Sequence, residues 1–244
     1  MTIQRFQSLR PEADLQQFIS ALGTKKPSNG LTPQGGWYAI KNLSESESEI
    51  SIYDDIGEWG ISAADFIRDI GAIKSRNIML RINSGGGSVF DGVAIFNAIR
   101  RHPANVTAYI DGIAASAASF VAMAADKVVM SPHSTMMIHE ASGGCIGNAA
   151  DMRDLADRLD MLSDTIASIY AERSGGTTEE WRARMKTETW MTDREAVSMG
   201  LADGIDGEDE PEYRRDTIAA SGKPAIDFAA LINQQMEDAA VLVA

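Results

Sequence analysis

The sequence predicts an α/β fold built on a largely parallel sheet. Three observations carry that prediction. Strand-like and helix-like segments alternate between residues 49 and 110 at the spacing of βαβ units. The strands are short apolar runs such as "NIMLRI" at 77–82. The helices open on Ser-x-x-Asp cap signals, Ser62 with Asp65 and Ser88 with Asp91.

Each element follows in order. "EISIYD" (49–54) alternates apolar and polar residues, as a half-buried strand does. In "SAADFIRDIGAIK" (62–74), Phe66, Ile67, Ile70 and Ile73 share one helical face. The strand at 77–82 leads to a helix at 88–102, then to a strand "NVTAYI" at 105–110. A small-residue helix is expected after Ser116, then strands at 127–130 and 135–138. A long helix at 149–173 carries Met152, Leu155, Leu159, Leu162, Ile166 and Ile169 at 3-4-3-4-3 spacing. That stripe packs on its own domain or, if the helix projects, on another subunit. Helices at 177–186 and 192–200 follow, the second capped by Thr192 and Glu195 and stopped by Gly200. "LADGI" (201–205) closes the regular pattern. Residues 1–36 read as an extension and linker, with a short helix at 11–22. Residues 206–244 read as an acidic, flexible tail, with a small helix within 225–244. The folded domain is therefore expected at 37–205.

Composition narrows the function. The 244 residues carry a formal net charge of −13. That argues against nucleic acid and anionic membranes as partners, since both reward clustered Lys and Arg. No apolar run approaches the roughly 20 residues of a membrane helix. The start shows no signal-peptide core, so a cytoplasmic location is expected. One cysteine, Cys145, and three histidines leave no disulfide framework and no expected metal site.

Two stretches carry candidate chemistry. In "INSGGGSVFDG" (82–92), glycines lie between a strand end and a helix start, where backbone N–H groups approach an anion or serve a tight turn. No Gly-Lys-Ser/Thr follows, so it is not a phosphate loop. In "IDGIAASAASF" (110–120), Ser116 stands among small neighbours after a strand. By residue chemistry alone, Ser116 reads first as a helix cap or packed small residue. A serine becomes a nucleophile only when a base takes its proton. His139, in "MMIHEAS", is the base on offer, and Glu188, in "KTETWMT", is an acid able to orient it. Alone, His139 reads as a structural histidine and Glu188 as a surface carboxylate. Ser119 reads as structural, His102 and His133 as surface residues, and Cys145 as a packed small residue.

The order of four segments changes that balance. "INSGGGSVFDGVAIFNAI", "DGIAASAASF", "MSPHSTMMIHEASGGCIGNAADM" and "ETWMTDREAVSMGLADGI" together resemble the Clp-type serine peptidases, the ClpP family. The nearer resemblance is to the ClpP-related head maturation proteases of tailed phages and prophages. It covers roughly residues 37–205. It implies a ClpP/crotonase-type spiral of ββα units with a projecting handle helix. It implies Ser116 as nucleophile, His139 as general base and Glu188 at the position of the triad acid. Housekeeping members usually have aspartate there. The N–H groups of Gly87 and Ala117 match the oxyanion hole. Gly86 and the segment Ser142, Gly143, Gly144, Cys145 and Ile146 match the substrate-binding backbone. Gly85 replaces the proline of housekeeping members.

The implied activity is serine endopeptidase chemistry without cofactor or metal, acting on phage scaffold or capsid segments in a host cytoplasm or prohead. The implied assembly is a homo-oligomeric ring, heptameric or stacked. At least one extension is expected to be removed by self-cleavage. The competing expectations are a housekeeping ATP-dependent Clp subunit, a crotonase-like acyl-CoA enzyme, a Ser-Lys signal-peptide peptidase type and an inactive ring scaffold.

Overall fold

The structure is a computed structural model that describes residues 36–57 and 62–208. The expected helices at 11–22 and within 225–244, and nearly all of both extensions, lie outside the described residues.

The hairpin of β1 (Tyr38–Asn42) and β2 (Glu47–Ile52) opens the fold, with Tyr38 opposite Ile52. In β2 the alternation buries Ser48, Ile50 and Ile52 on one face. Helix α1 (Ala63–Ala72) then lays Phe66 and Ile70 on that face. Trp37 stacks on Phe66 at 5.6 Å and anchors the hairpin to α1. The Ser62 N–H donates to Asp65 Oδ2 at 3.1 Å, so the cap signal at 62 is real. Strand β3 (Asn77–Ser84) buries Ile78, Leu80, Ile82 and Ser84. Helix α2 (Val89–Arg101) begins at Ser88, whose Oγ accepts from the Asp91 N–H at 3.3 Å. After β4 (Asn105–Ala115) come α3 (Ala117–Ala122), β5 (Lys127–Met130) and β6 (Thr135–Ile138). The long α4 (Ala149–Ser174), α5 (Thr178–Lys186), β7 (Thr189–Thr192), α6 (Asp193–Ser198) and β8 (Gly204–Ile205) complete the described chain.

The sheet order is β1-β2-β3-β4-β5-β8, with β6 branching from β4 and carrying β7. Only β1–β2 and β6–β7 are antiparallel. The fold is thus mixed α/β on a mostly parallel sheet, as the alternation predicts. One face of β2–β4 is sealed in the core, while Met79, Arg81, Thr107 and Tyr109 on the other remain half-buried.

Strand β4 differs from the expectation in a way that builds the site. The sequence pattern ends at 110, before Asp111-Gly112. The strand instead continues to Ala115, with a register shift between Ile82/Ile110 and Ser84/Ala114. A Cβ at Gly112 would lie 2.6 Å from Asn83 Oδ1, so a side chain there would displace the end of Asn83. Asp111 is pinned by Arg81, with Nε at 2.9 Å and Nη2 at 2.5 Å, and by the Tyr53 hydroxyl. The break lets one strand serve two partners. Residues 107–110 pair with β5, and residues 113–115 pair with β6. β1, β7 and β8 were not expected as strands. Each is short; β1 is completed by the next strand in a hairpin, and β7 and β8 by partners far off in sequence.

The α4 stripe divides. Ile166 and Ile169 are buried, whereas Met152 is 54% exposed and nothing before Ser163 is fully buried. The N-terminal half of the helix therefore projects from the fold. The start of the expected tail is tied down as far as residue 208. Asp206 N–H donates to Met130 O at 2.8 Å, and Glu208 pairs with Arg194 at 2.7 Å.

Candidate active site

The two parallel strand ends of β4 and β6 lie side by side, and the site forms at their C-terminal ends. Ala115 pairs with Met137, and the Ser116 N–H donates to Met137 O at 3.0 Å. Ser116 is the first residue past the end of β4, and His139 the first past the end of β6. The Ser116 Oγ and His139 Nε2 stand 2.7 Å apart. The sequence places 22 residues between them; parallel pairing removes that distance.

Ser116 occupies a strained turn between β4 and α3, with φ 52° and ψ −123°. A non-glycine residue holds such angles only where its surroundings impose them. They do so here. Ser119 Oγ donates to the Ser116 carbonyl at 2.6 Å and shares a 2.7 Å hydrogen bond with the Tyr170 hydroxyl. Ser119 and Tyr170 are both buried, so this is a fixed support beneath Ser116. Burial raises the Tyr170 phenol pKa, and the phenol stays protonated.

The glycine loop presses on the turn from the other side. A Cβ at Gly86 would lie 2.7 Å from Ser116 Cβ and 2.8 Å from Ala115 O. Gly87 forms a parallel bridge with Ile56. Ile56 N–H donates to Gly86 O at 2.6 Å, and Ser88 N–H donates to Ile56 O at 3.0 Å. In that pattern the N–H of Gly87 itself faces away from Ile56. Gly87, Ser116 and His139 line one cleft of about 350 Å³, including its open mouth. Ala117 is the first residue of α3, so its N–H has no partner within the helix.

The structure does not bring the Glu188 carboxylate to the imidazole. The β6–β7 ladder ends with Ile138 opposite Thr189, so His139 and Glu188 each stand one residue beyond its last pair. Glu188 nevertheless has φ 48°, is exposed, and its Oε1 accepts the Trp190 Nε1–H at 3.0 Å. The His139 Nδ1 has no hydrogen-bond partner among the described residues. No hydrogen-bonding role for the Trp190 indole was read from the sequence, since an indole two residues from an acid carries no such signal of its own.

Residues 139–147 form no strand among the described residues. Ser142 lines the cleft, while Gly143, Gly144, Cys145 and Ile146 are exposed on the segment leading to α4. Ile146 is 73% exposed. Cys145, expected to pack, is exposed as well. A segment with no neighbouring strand offers no interior for its side chains. Ser119 is structural, as expected. His102 Nδ1 accepts the Ala104 N–H at 3.1 Å at the end of α2, and His133 sits exposed in a turn with φ 67°. No group of three metal-ligating side chains occurs among the described residues, and no described helix is long and apolar enough to cross a membrane.

An imidazole bonded to a serine hydroxyl on a strained strand–helix turn is an arrangement suited to serine hydrolase chemistry. Comparison with known proteins agrees with that class. The family model for Clp protease matches residues 35–209. The ATP-dependent Clp protease proteolytic subunit of Pleurastrum terricola is 35% identical over 136 residues, covering 55% of this chain and 69% of the relative. Subunit 1 of the same protease from Chlamydia abortus is 36% identical over 152 residues, covering 59% and 79%. The chain belongs to the Clp protease family, and it is a serine-type endopeptidase of that kind.

Proposed function

We propose that the chain cleaves peptide bonds through Ser116, His139 and Glu188 by way of an acyl-enzyme. The observation that carries this reading is the 2.7 Å Ser116–His139 contact on a strained turn at an open cleft. A peptide lies extended along 142–146, where the backbone has no strand partner. His139 takes the Ser116 proton as Oγ attacks the carbonyl carbon. The Gly87 and Ala117 N–H groups receive the oxyanion. His139 then protonates the leaving amine, and a water activated by the same imidazole releases the acyl group. Glu188 orients the imidazole once its carboxylate turns from Trp190 to Nδ1. The last ladder pair, Ile138 with Thr189, supports this, since His139 and Glu188 follow it directly. The protein assembles as a homo-oligomeric ring through the projecting half of α4, in keeping with its exposed Met152 and Met161.

The biological substrate we propose is scaffold or capsid protein during phage head maturation. The Glu188-Thr189-Trp190 segment and the Gly85 replacement support it through the resemblance. A second reading, a proteolytic subunit working with an ATPase, is favoured by the names of the relatives.

Labelling with a fluorophosphonate probe tests the mechanism. Ser116 is expected to be modified, and Ser116→Ala and His139→Ala to abolish the label. Modification at another serine, or none in the assembled wild type, overturns it. Cleavage of a co-expressed scaffold protein without ATP supports the phage role. Cleavage only alongside an ATP-driven unfoldase supports the second reading.

A further inference from the structure

Arg182 of α5 is nearly buried, at 13% side-chain exposure, and all three guanidinium nitrogens are engaged. Nε donates to Glu140 Oε1 at 2.5 Å. Nη2 donates to Asp160 Oδ1 at 2.6 Å, and Nη1 donates to the Asp160 carbonyl at 3.0 Å and to the Asp164 carboxylate. Burial works against the charge, yet the bonds from Asp160, Glu140 and Asp164 hold the guanidinium protonated. Three separate segments thus meet on one side chain: the end of β6, the middle of α4, and α5.

The contact to Glu140 matters because of where Glu140 is. It follows His139 directly and lines the cleft that holds Ser116. The described ladder of β6 ends at Ile138, so the sheet holds His139 from one side only. On the other side, two ties hold the chain. Glu140 is held by Arg182, and the Ala141 N–H donates at 2.9 Å to Ser163 Oγ on α4. Arg182 comes from a fixed helix, since Trp181 beside it is buried and its Nε1 donates to Gly175 O at 2.8 Å. The imidazole has no partner of its own at Nδ1 among the described residues. Its 2.7 Å approach to Ser116 is therefore set by the backbone on either side of residue 139.

We infer that Arg182, acting through Glu140, is a positioning residue that holds His139 in reach of Ser116. The inference rests on His139 serving as the base for Ser116. Reactivity at Ser116 then depends on a contact made by α5 and by α4 residues, Asp160 and Asp164, that do not themselves line the cleft. Moving a reacting group by about 1 Å costs on the order of 100-fold in rate.

The test is the reaction of the full chain with a fluorophosphonate probe over a range of concentrations, which separates the maximal rate kinact from the half-saturating concentration KI. Folding and assembly are checked by circular dichroism and light scattering. Arg182→Ala is expected to lower kinact by about 10- to 100-fold, with KI within about two-fold because Arg182 lies outside the cleft. Arg182→Lys is expected to recover part of the rate, since an ammonium reaches fewer of the acceptors. If Arg182→Ala does not fold, Glu140→Ala keeps both aspartate contacts and is expected to show the same fall in kinact. Wild-type kinact in folded Glu140→Ala or Arg182→Ala overturns the inference alone. An unlabelled wild type overturns the serine-peptidase reading and the inference with it.

Discussion

At the scale of single residues, the site depends on what is missing from Gly86 and Gly87. Gly86 has φ 110° and Gly87 φ 131°, a region side chains rarely adopt. A Cβ at Gly87 would also lie 2.2 Å from Ile56 O. Gly86→Ala is expected to destabilise the fold by about 1–3 kcal/mol and to push Ser116 off His139. Urea denaturation and probe labelling check both effects. A stable Gly86→Ala protein that labels at the wild-type rate would show that the loop does not support the turn. Ser116 itself shows why composition misleads here. A serine among alanines reads as packing until its φ of 52° and its neighbour His139 are known.

At the scale of elements, α4 does two jobs along its length. Its C-terminal half packs through Ile166, Ile169 and Tyr170. Its N-terminal half exposes Met152 and Met161 and leaves Leu155 and Leu159 half-buried, and an apolar stripe of that kind needs a partner. Leu155→Asp with Leu159→Asp is expected to reduce the oligomer mass in light scattering and to leave the melting temperature of the fold within a few degrees. Unchanged mass would remove α4 from the assembly contact. The bend in β4 is the other element-scale device. Asp111 and Gly112 look like a turn in the sequence. With Arg81 and Tyr53 holding Asp111, they become a bend inside one strand. Local propensity permits either outcome, and pairing with β6 selects the second.

At the scale of the whole molecule, pH reaches the fold through a buried phenol, Tyr170, and a half-buried one, Tyr38. The Tyr170 phenol is raised above its ordinary value of 10.0, first by burial. Tyr38 is raised by burial and by its 2.8 Å hydrogen bond to Asp69. A group with a raised folded-state pKa contributes stability that is complete below its unfolded value and is lost as pH climbs toward the folded one. Stability is therefore expected to be level up to about pH 10 and to fall above it. Urea midpoints across pH 8 to 11 measure this, and Tyr170→Phe is expected to flatten the decline. An identical decline in that variant would place the alkaline sensitivity elsewhere.

The sequence by itself determined the alternation of strands and helices, the caps at Ser62, Ser88 and Thr192, and the Ser116 and His139 candidates. These are legible because they rest on neighbours within a few residues, or on motifs whose order survives in the chain. Only the tertiary structure decided the rest. It continued β4 to Ala115, set Ser116 beside His139, and exposed Cys145. It gave the Glu188 carboxylate to Trp190 and gathered Glu140, Asp160 and Asp164 on Arg182. Apart from the Glu188–Trp190 bond, which joins residues two apart, each of these outcomes is a contact between elements far apart in sequence, or the absence of one. Its free energy belongs to packing and pairing, which no local pattern encodes.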